Sequence, residues 1–432
     1  MELNGFLQDE HTSGWYALLP PPPPARRLTG SERADWAVIG AGFTGLAAAR
    51  RLASHLPDAR IALVEADRVG FGTSGRNSGF IIDLPHHNEG TDIEDNRRLG
   101  RLVRAGLGQL RDLAGKHGID CDWHEAGQIK AAVDDADSRV LEQFCRKMDE
   151  MGEPYRRLDR AALAAVIGSD YYRWAVHSPS VVLMQPAALV RGLAATLPEN
   201  VVLFEESPIR AVREGAAVRL ETSEGSLSVK GVLLASNAFT PGLGFFRRRV
   251  FPLCLYASLT RPLSDGELAR LGGEPVWGVV PAGSFGATLR RTPDNRLLYR
   301  NTVRYTHDLR LGKALGRKIR ANHRAGIRAR YPALGEVELE HTWSGVICMS
   351  RNKGTVFGRV APKIYASIGY NGVGVPRATA SGALLADLAV GAESALLRDA
   401  LALPAASRTP PLFGPALRGY LALGQWRART RM

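Results

Sequence analysis

Apolar residues fall into short blocks punctuated by glycine and proline, and the blocks carry two different periods. Trp36 to Ile39, the start of IALVEAD at 61 to 67, VVLFEESPIRAV at 201 to 212 and VKGVLLASNAF at 229 to 239 are strand-length apolar runs that stop at turn residues. Leu99, Leu102, Val103, Leu107, Leu110 and Leu113 recur at helical spacing, which predicts an amphipathic helix over 95 to 117. Further helices are expected over 46 to 56, 134 to 151, 184 to 197 and 377 to 390. Between 243 and 342 the runs LCLYASLTRP and RLLYRNTVRY alternate with loops and one helix, the pattern of an antiparallel sheet. That helix is Lys313 to Arg330, with Leu315, Ile319 and Ile327 on one side and a solvated basic face on the other.

The ends read differently. Residues 1 to 33 form an arm stiffened by Pro20 to Pro24, expected to lie on the surface rather than in a core. Residues 396 to 432, with Pro404, Pro410, Pro411 and Pro415, read as an extended tail closing in a short helix.

The turn after the first strand carries chemistry. Gly40, Gly42 and Gly45 give G-x-G-x-x-G, with Phe43 and Thr44 between the last two. The first glycine permits a tight turn, the second lets backbone approach a pyrophosphate, and the third lets helix and strand pack closely. The helix N-terminus then offers N–H groups and a positive dipole end to phosphate. Glu65, followed by Ala66, lies where a carboxylate takes ribose hydroxyls. Strand, turn, helix and acid together point to FAD or NAD. Soon after comes VGFGTSGRNSGF, in which Thr73, Ser74, Arg76, Asn77 and Ser78 provide a second set of phosphate donors. NAD alone has no evident need of it, so the pair of cradles favours FAD; a mere mobile loop is the competing reading.

These blocks resemble the FAD-dependent amine and D-amino-acid oxidase superfamily, in particular its gamma-glutamylputrescine oxidase-like branch. DRVGFGTSGRNSGF is similar to that branch's segment after the first βαβ unit, and HTSGWYALLPPPPP to its N-terminal aromatic pair and prolines. MSRNKGTVFGRV at 349 to 360 and GYNGVGV at 369 to 375 are similar to its later blocks, in the same order along the chain. The resemblance implies an α/β fold (α+β overall), with a Rossmann-like FAD-binding domain of the glutathione-reductase type and an antiparallel-sheet substrate domain. It places 34–92, 158–242 and 343–395 in the first, and 93–157 and 243–342 in the second. By the same likeness Ile209 touches adenine through backbone atoms, and Ala235, Ser236 and Asn237 make a second pyrophosphate-side turn. Gly345 and the stretch Gly369, Tyr370, Asn371, Gly372, Val373, Gly374 and Val375 are then placed against the flavin. The chain departs from the pattern at Val373, where the family has His, and at Ser344, Ser78 and Phe80.

The activity implied is oxidation of a C–N bond in an amine or amino acid, with hydride passing to flavin N5 and oxygen as acceptor. A dehydrogenase feeding a quinone or carrier, its tail touching a membrane, and a flavin-binding protein without turnover are the alternatives. Arg351, just after the strand at 346 to 349, is the expected partner of a substrate carboxylate, by analogy with arginines near the flavin in relatives. Tyr256, Tyr299 and Arg300 on the covering sheet are further pocket candidates, and Lys353 is a candidate promoter of oxygen reactivity. His86 and His87 follow the second cradle; they and the cysteines are read as non-attaching, so FAD is expected to be non-covalent.

Composition narrows the rest. Apolar content of 45% with 23% charged residues is that of a soluble globular chain, and no run of about 18 apolar residues predicts a spanning helix. Four scattered cysteines without ligand spacing indicate no structural metal and a reducing, cytoplasmic setting. The net charge of +13 comes without a nucleic-acid-binding signature, and suits an anionic flavin and substrate instead.

Overall fold

The structure, a computed structural model, describes residues 12–84, 92–306 and 312–428. His86 and His87 lie outside the described residues. A six-stranded sheet runs in the order Val356–Ala361, Ile364–Ile368, Gly231–Leu234, Trp36–Ile39, Ile61–Val64, Val201–Phe204. All its pairings are parallel except the hairpin between the first two strands. Its central strands are buried on both faces, which explains why they read as unbroken apolar runs.

Two helices cross on one face of this sheet at small residues. A Cβ on Gly382, in the helix Val375–Val390, would lie 2.1 Å from the carbonyl oxygen of Thr44 in the helix Phe43–His55. The helix Ile93–Lys116 is pinned the same way, its Gly106 lying against the carbonyl of Pro376. That helix therefore packs on the nucleotide-binding layer, whereas the expected division put it with the covering domain.

An eight-stranded, mostly antiparallel sheet forms the second layer: Leu339–Ser350, Val250–Thr260, Leu297–Arg304, Thr288–Arg291, Trp277–Pro281, Gln128–Ala132, Trp174–Ser178, Arg156–Leu158. Its strand Trp174–Ser178 and residues 343–350 of Leu339–Ser350 come from stretches that the sequence boundaries had given to the nucleotide-binding domain. Between 243 and 342 the described residues include a second α-helix, Asp265–Leu271, besides the basic Lys313–Arg330. The basic helix packs on the outer face of the sheet through Ile319, His323 and Ile327.

Both ends are built into the fold. Trp15 is buried in one cluster with Leu259, Leu298 and Trp343, so the N-terminal arm is not a surface appendage. Gly30–Arg33 adds a parallel edge strand beside Gly225–Val229 in a four-stranded sheet. The C-terminal segment closes in the expected helix, Phe413–Arg427, and a further helix, Ala395–Ala402, takes the place of the start of the extended tail. Among the described residues no single helix is long and apolar enough to cross a membrane.

Candidate active site

One cavity of about 1080 Å³ runs from the glycine turn, past the second cradle, to the covering sheet and the C-terminal helix. At its nucleotide end Gly40 has φ +101, which a side chain would strain, and an added Cβ would meet the Ala235 carbonyl at 2.9 Å. A Cβ on Gly45 would sit 1.7 Å from the Gly40 carbonyl oxygen, so helix and strand could not close. Gly42 faces Ser74, whose Oγ accepts from the Phe43 N–H at 3.2 Å and would be 2.5 Å from an added Cβ. The two cradles therefore touch, and Gly42 and Ser74 both line the cavity.

Glu65 closes this end. Its carboxylate accepts from the N–H groups of Ala41 (2.8 Å) and Ala66 (2.9 Å). Burial pushes its pKa above the ordinary range, against the pull of those N–H donors. Asp67 lines the same end and is raised by burial as well. Ile209, Ala235, Ser236 and Asn237 complete the lining there.

Arg76 and Asn77 serve as the frame of the second cradle. Arg76 is buried, donates to the carbonyls of Phe71 (2.6 Å) and Ser344 (3.1 Å), and lies 4.5 Å over the Phe71 ring. Asn77 donates to the Ser74 carbonyl and accepts from Gly79 N–H, fixing the turn from both sides. The Trp15 indole N–H reaches the Asn77 carbonyl (2.8 Å), and the Trp343 indole reaches that of Arg76 (3.1 Å). Thr73 donates to the Val346 carbonyl. Ser78 and Gly345 line the cavity beside them.

The stretch 369 to 375 forms the opposite wall. Gly369 and Gly372 take φ +84 and +87, and Asn371 φ +55, held by donation from Ser350 N–H to its Oδ1 at 2.8 Å. Tyr370 turns inward: its hydroxyl bonds Thr44 (2.8 Å) and Ser367 (2.9 Å), and burial pushes its pKa up to about 12. Tyr370 and Thr44 thus tie the first helix to the last turn. Val373, Gly374 and Val375 line the cavity at the N-terminus of the helix Val375–Val390, whose dipole favours an electron-rich edge. Of the residues expected to hold the nucleotide, Gly45 and Gly369 are not on the lining.

The four substrate-side candidates separate. Arg300 lines the cavity, its guanidinium donating to Thr288 Oγ1 at 2.6 Å, and burial lowers its pKa to about 10. Tyr299, its neighbour on the strand, necessarily faces the other way and packs under the basic helix, against Gly326 and Arg330. Tyr256 borders the cavity, but its ring packs with Cys254 and Ile319 on that same outer side. Arg351 stands exposed at the rim, and Lys353 is half-buried beside it. Of the two candidate arginines on the lining, Arg300 is the more buried and Arg351 the exposed one.

The sequence reading missed a wall. Phe251, Leu253, Leu255, Ile347 and Met349 line the cavity opposite Phe413, Leu417 and Leu421 of the C-terminal helix. The alternation of Phe251, Leu253 and Leu255 was a legible signal; a closing helix was expected, but not that it lies on the cavity. No histidine lines the cavity among the described residues, and its acids, Glu65 and Asp67, both sit at the nucleotide end.

Residues 35–388 match the family described as DAO, FAD dependent oxidoreductase. The chain belongs to this family of FAD-dependent oxidoreductases, and the glycine turn, Glu65 and second cradle line one end of the cavity. Among its relatives, gamma-glutamylputrescine oxidoreductase of Escherichia coli is 28% identical over 392 residues, 88% of this chain and 89% of that one. Probable oxidoreductase OrdL of Haemophilus influenzae is 28% identical over 384 residues, 85% and 86% of the two chains. The fold is that of glycine oxidase from Geobacillus kaustophilus, with a TM-score of 0.73, 21% identity, and coverage of 88% of this chain and all of that one.

Proposed function

We propose that this protein oxidises the C–N bond of an amine or amino acid bearing an anionic group, giving an imine and, with oxygen as acceptor, hydrogen peroxide. The observation that carries the reading is Arg300, a desolvated cation on the cavity wall with no carboxylate among the lining residues at its end. A guanidinium so placed is costly until an anion meets its planar fork. The amine-oxidising relatives named above support the rest of the assignment.

Bound FAD supplies the acceptor for the hydride that leaves the carbon beside nitrogen. The chain's part is to bind and to orient. Arg300 and Thr288 fix the anionic end, and the covering sheet excludes water. Among the described residues no histidine lines the cavity and both lining acids sit at the far end, so in this reading the amine arrives neutral. Hydrolysis of the released imine then gives a carbonyl compound and ammonia or a smaller amine. FAD is held without a covalent link in this reading: the lining cysteine, Cys348, packs in the core with Val250 and Val356, and burial pushes its thiol up to about 12.

The test is anaerobic loss of flavin colour with a panel of amines and amino acids, followed by admission of air or of a soluble quinone. Reduction by anionic amines, reoxidation by air with peroxide release, and a reduction rate that climbs with pH toward the amine's own pKa are expected. Reoxidation by quinone alone would replace oxygen with a carrier. Failure of every amine to bleach the flavin would remove the assignment.

A further inference from the structure

We propose that the end of the cavity under the C-terminal helix is an apolar subsite, and that the oxidised amine carries an alkyl or aromatic tail seated there. The inference rests on the reading of Arg300 as the anion anchor, and it extends that reading from one end of the substrate to the other. The helix Phe413–Arg427 lies across the mouth of the covering sheet and turns Phe413, Leu417 and Leu421 inward. Facing them are Leu253, Ile347 and Met349 from two adjacent strands of that sheet.

A closed core would bury all of these side chains. Instead Leu255, Val303, Ile347, Met349, Phe413 and Leu417 stay half-exposed, and the surface they leave open is the cavity's own. Apolar area held open inside a cleft is stabilised when an apolar group displaces its water. The side-chain amide at this end is already spent. Gln425 accepts from the Val303 N–H at 3.1 Å and donates to the Val303 carbonyl at 2.9 Å, so both ends of its amide serve to clamp the helix to the strand. A polar tail would lose its water here and find little in return.

The wall is also held firmly enough to discriminate. The rings of Phe251 and Phe413 lie 4.8 Å apart, and those of Phe285 and Tyr420 5.8 Å apart. Gly424 lets the helix lie on the Phe285 ring, where a Cβ would come within 2.3 Å. The helix is thus a fixed side of the pocket, and its residues set which tails fit.

The experiment uses the FAD-loaded full chain and ligands that cannot be oxidised by it. Acetate, butanoate, hexanoate and octanoate are titrated against the flavin absorbance, alongside the straight-chain alcohols of the same lengths. Affinity is expected to rise about fourfold per methylene in both series until the subsite is filled, with each carboxylate binding more tightly than its alcohol. Leu417→Gln and, separately, Met349→Gln should each cut the octanoate-to-acetate affinity ratio by about tenfold. Affinities that stay flat with chain length in the wild type would overturn the subsite. A slope that survives in both variants would overturn its placement under the helix. A slope that persists while the carboxylates lose their advantage would overturn the Arg300 reading and leave the subsite standing.

Discussion

Replacing Arg300 by Met should make the protein more stable and its anionic ligands weaker, two effects of opposite sign from one side chain. The guanidinium donates to Thr288 Oγ1 and lies on the cavity wall, where among the described residues the lining carboxylates, Glu65 and Asp67, sit at the opposite end. Burial lowers its pKa to about 10, which corresponds to roughly 3 kcal/mol against the charged form before relaxation and water entry reduce it. The group remains charged at neutral pH, so this cost is present throughout the working range. Methionine fills much of the same volume without the charge, and the ligand-free holoprotein should gain about 1–2 kcal/mol, read as an upward shift in Tm by circular dichroism. A bound carboxylate loses a charge-assisted contact worth about 2–3 kcal/mol, or roughly 30- to 150-fold in Kd, read from the flavin absorbance. Arg351→Lys, at the exposed rim, should change Kd by less than about twofold. A lower Tm with unchanged carboxylate affinity in Arg300→Met would refute the argument that Arg300 is an unpaired cation awaiting an anion.

Gly45→Ala should cost more than Gly42→Ala in fold and less selectively in cofactor, because its Cβ meets backbone at 1.7 Å whereas that of Gly42 meets a movable serine hydroxyl. Expect Gly45→Ala to lose about 2–3 kcal/mol of stability, and Gly42→Ala to retain most of its Tm while releasing FAD; equal losses by both measures would contradict the geometry. Glu267, which caps the helix Asp265–Leu271 and pairs with Arg261 at 2.8 Å, has its pKa lowered to about 2, chiefly by that arginine. Its stabilisation is present above the ordinary carboxylate range and fades as pH falls toward 2, so Glu267→Gln should lower Tm at pH 7 by an amount equivalent to about 1 kcal/mol and by progressively less on acidification; a difference that grows in acid would reverse the sign.

The nucleotide half was legible because its chemistry is local. Gly40, Gly42, Gly45 and Glu65 lie within one βαβ unit, and each is dictated by backbone geometry that few other residues permit. The substrate half was not, because its surface is assembled from strands that meet only in the folded chain. Tyr299 and Arg300 are adjacent in sequence and opposite in space, and only knowing which face of the sheet meets the flavin decides between them. Trp15 and Leu421 escaped for the same reason. Each sits in a proline-marked end of the chain that local rules read as surface, and long-range packing buries both.

The bond from Trp15 to Asn77 bears on how the protein is made. Asn77 emerges from the ribosome soon after Trp15, but the second indole that braces this cradle belongs to Trp343, whose bond to Arg76 spans 267 residues. Thr44 likewise waits for Tyr370, 326 residues later. The phosphate-binding turns are thus synthesised early and completed late, after nearly the whole chain is available, and contacts of such long range are slow to form. Cofactor uptake should be among the last events of biogenesis. Nascent chains arrested before residue 370 would then remain colourless however much FAD surrounds them.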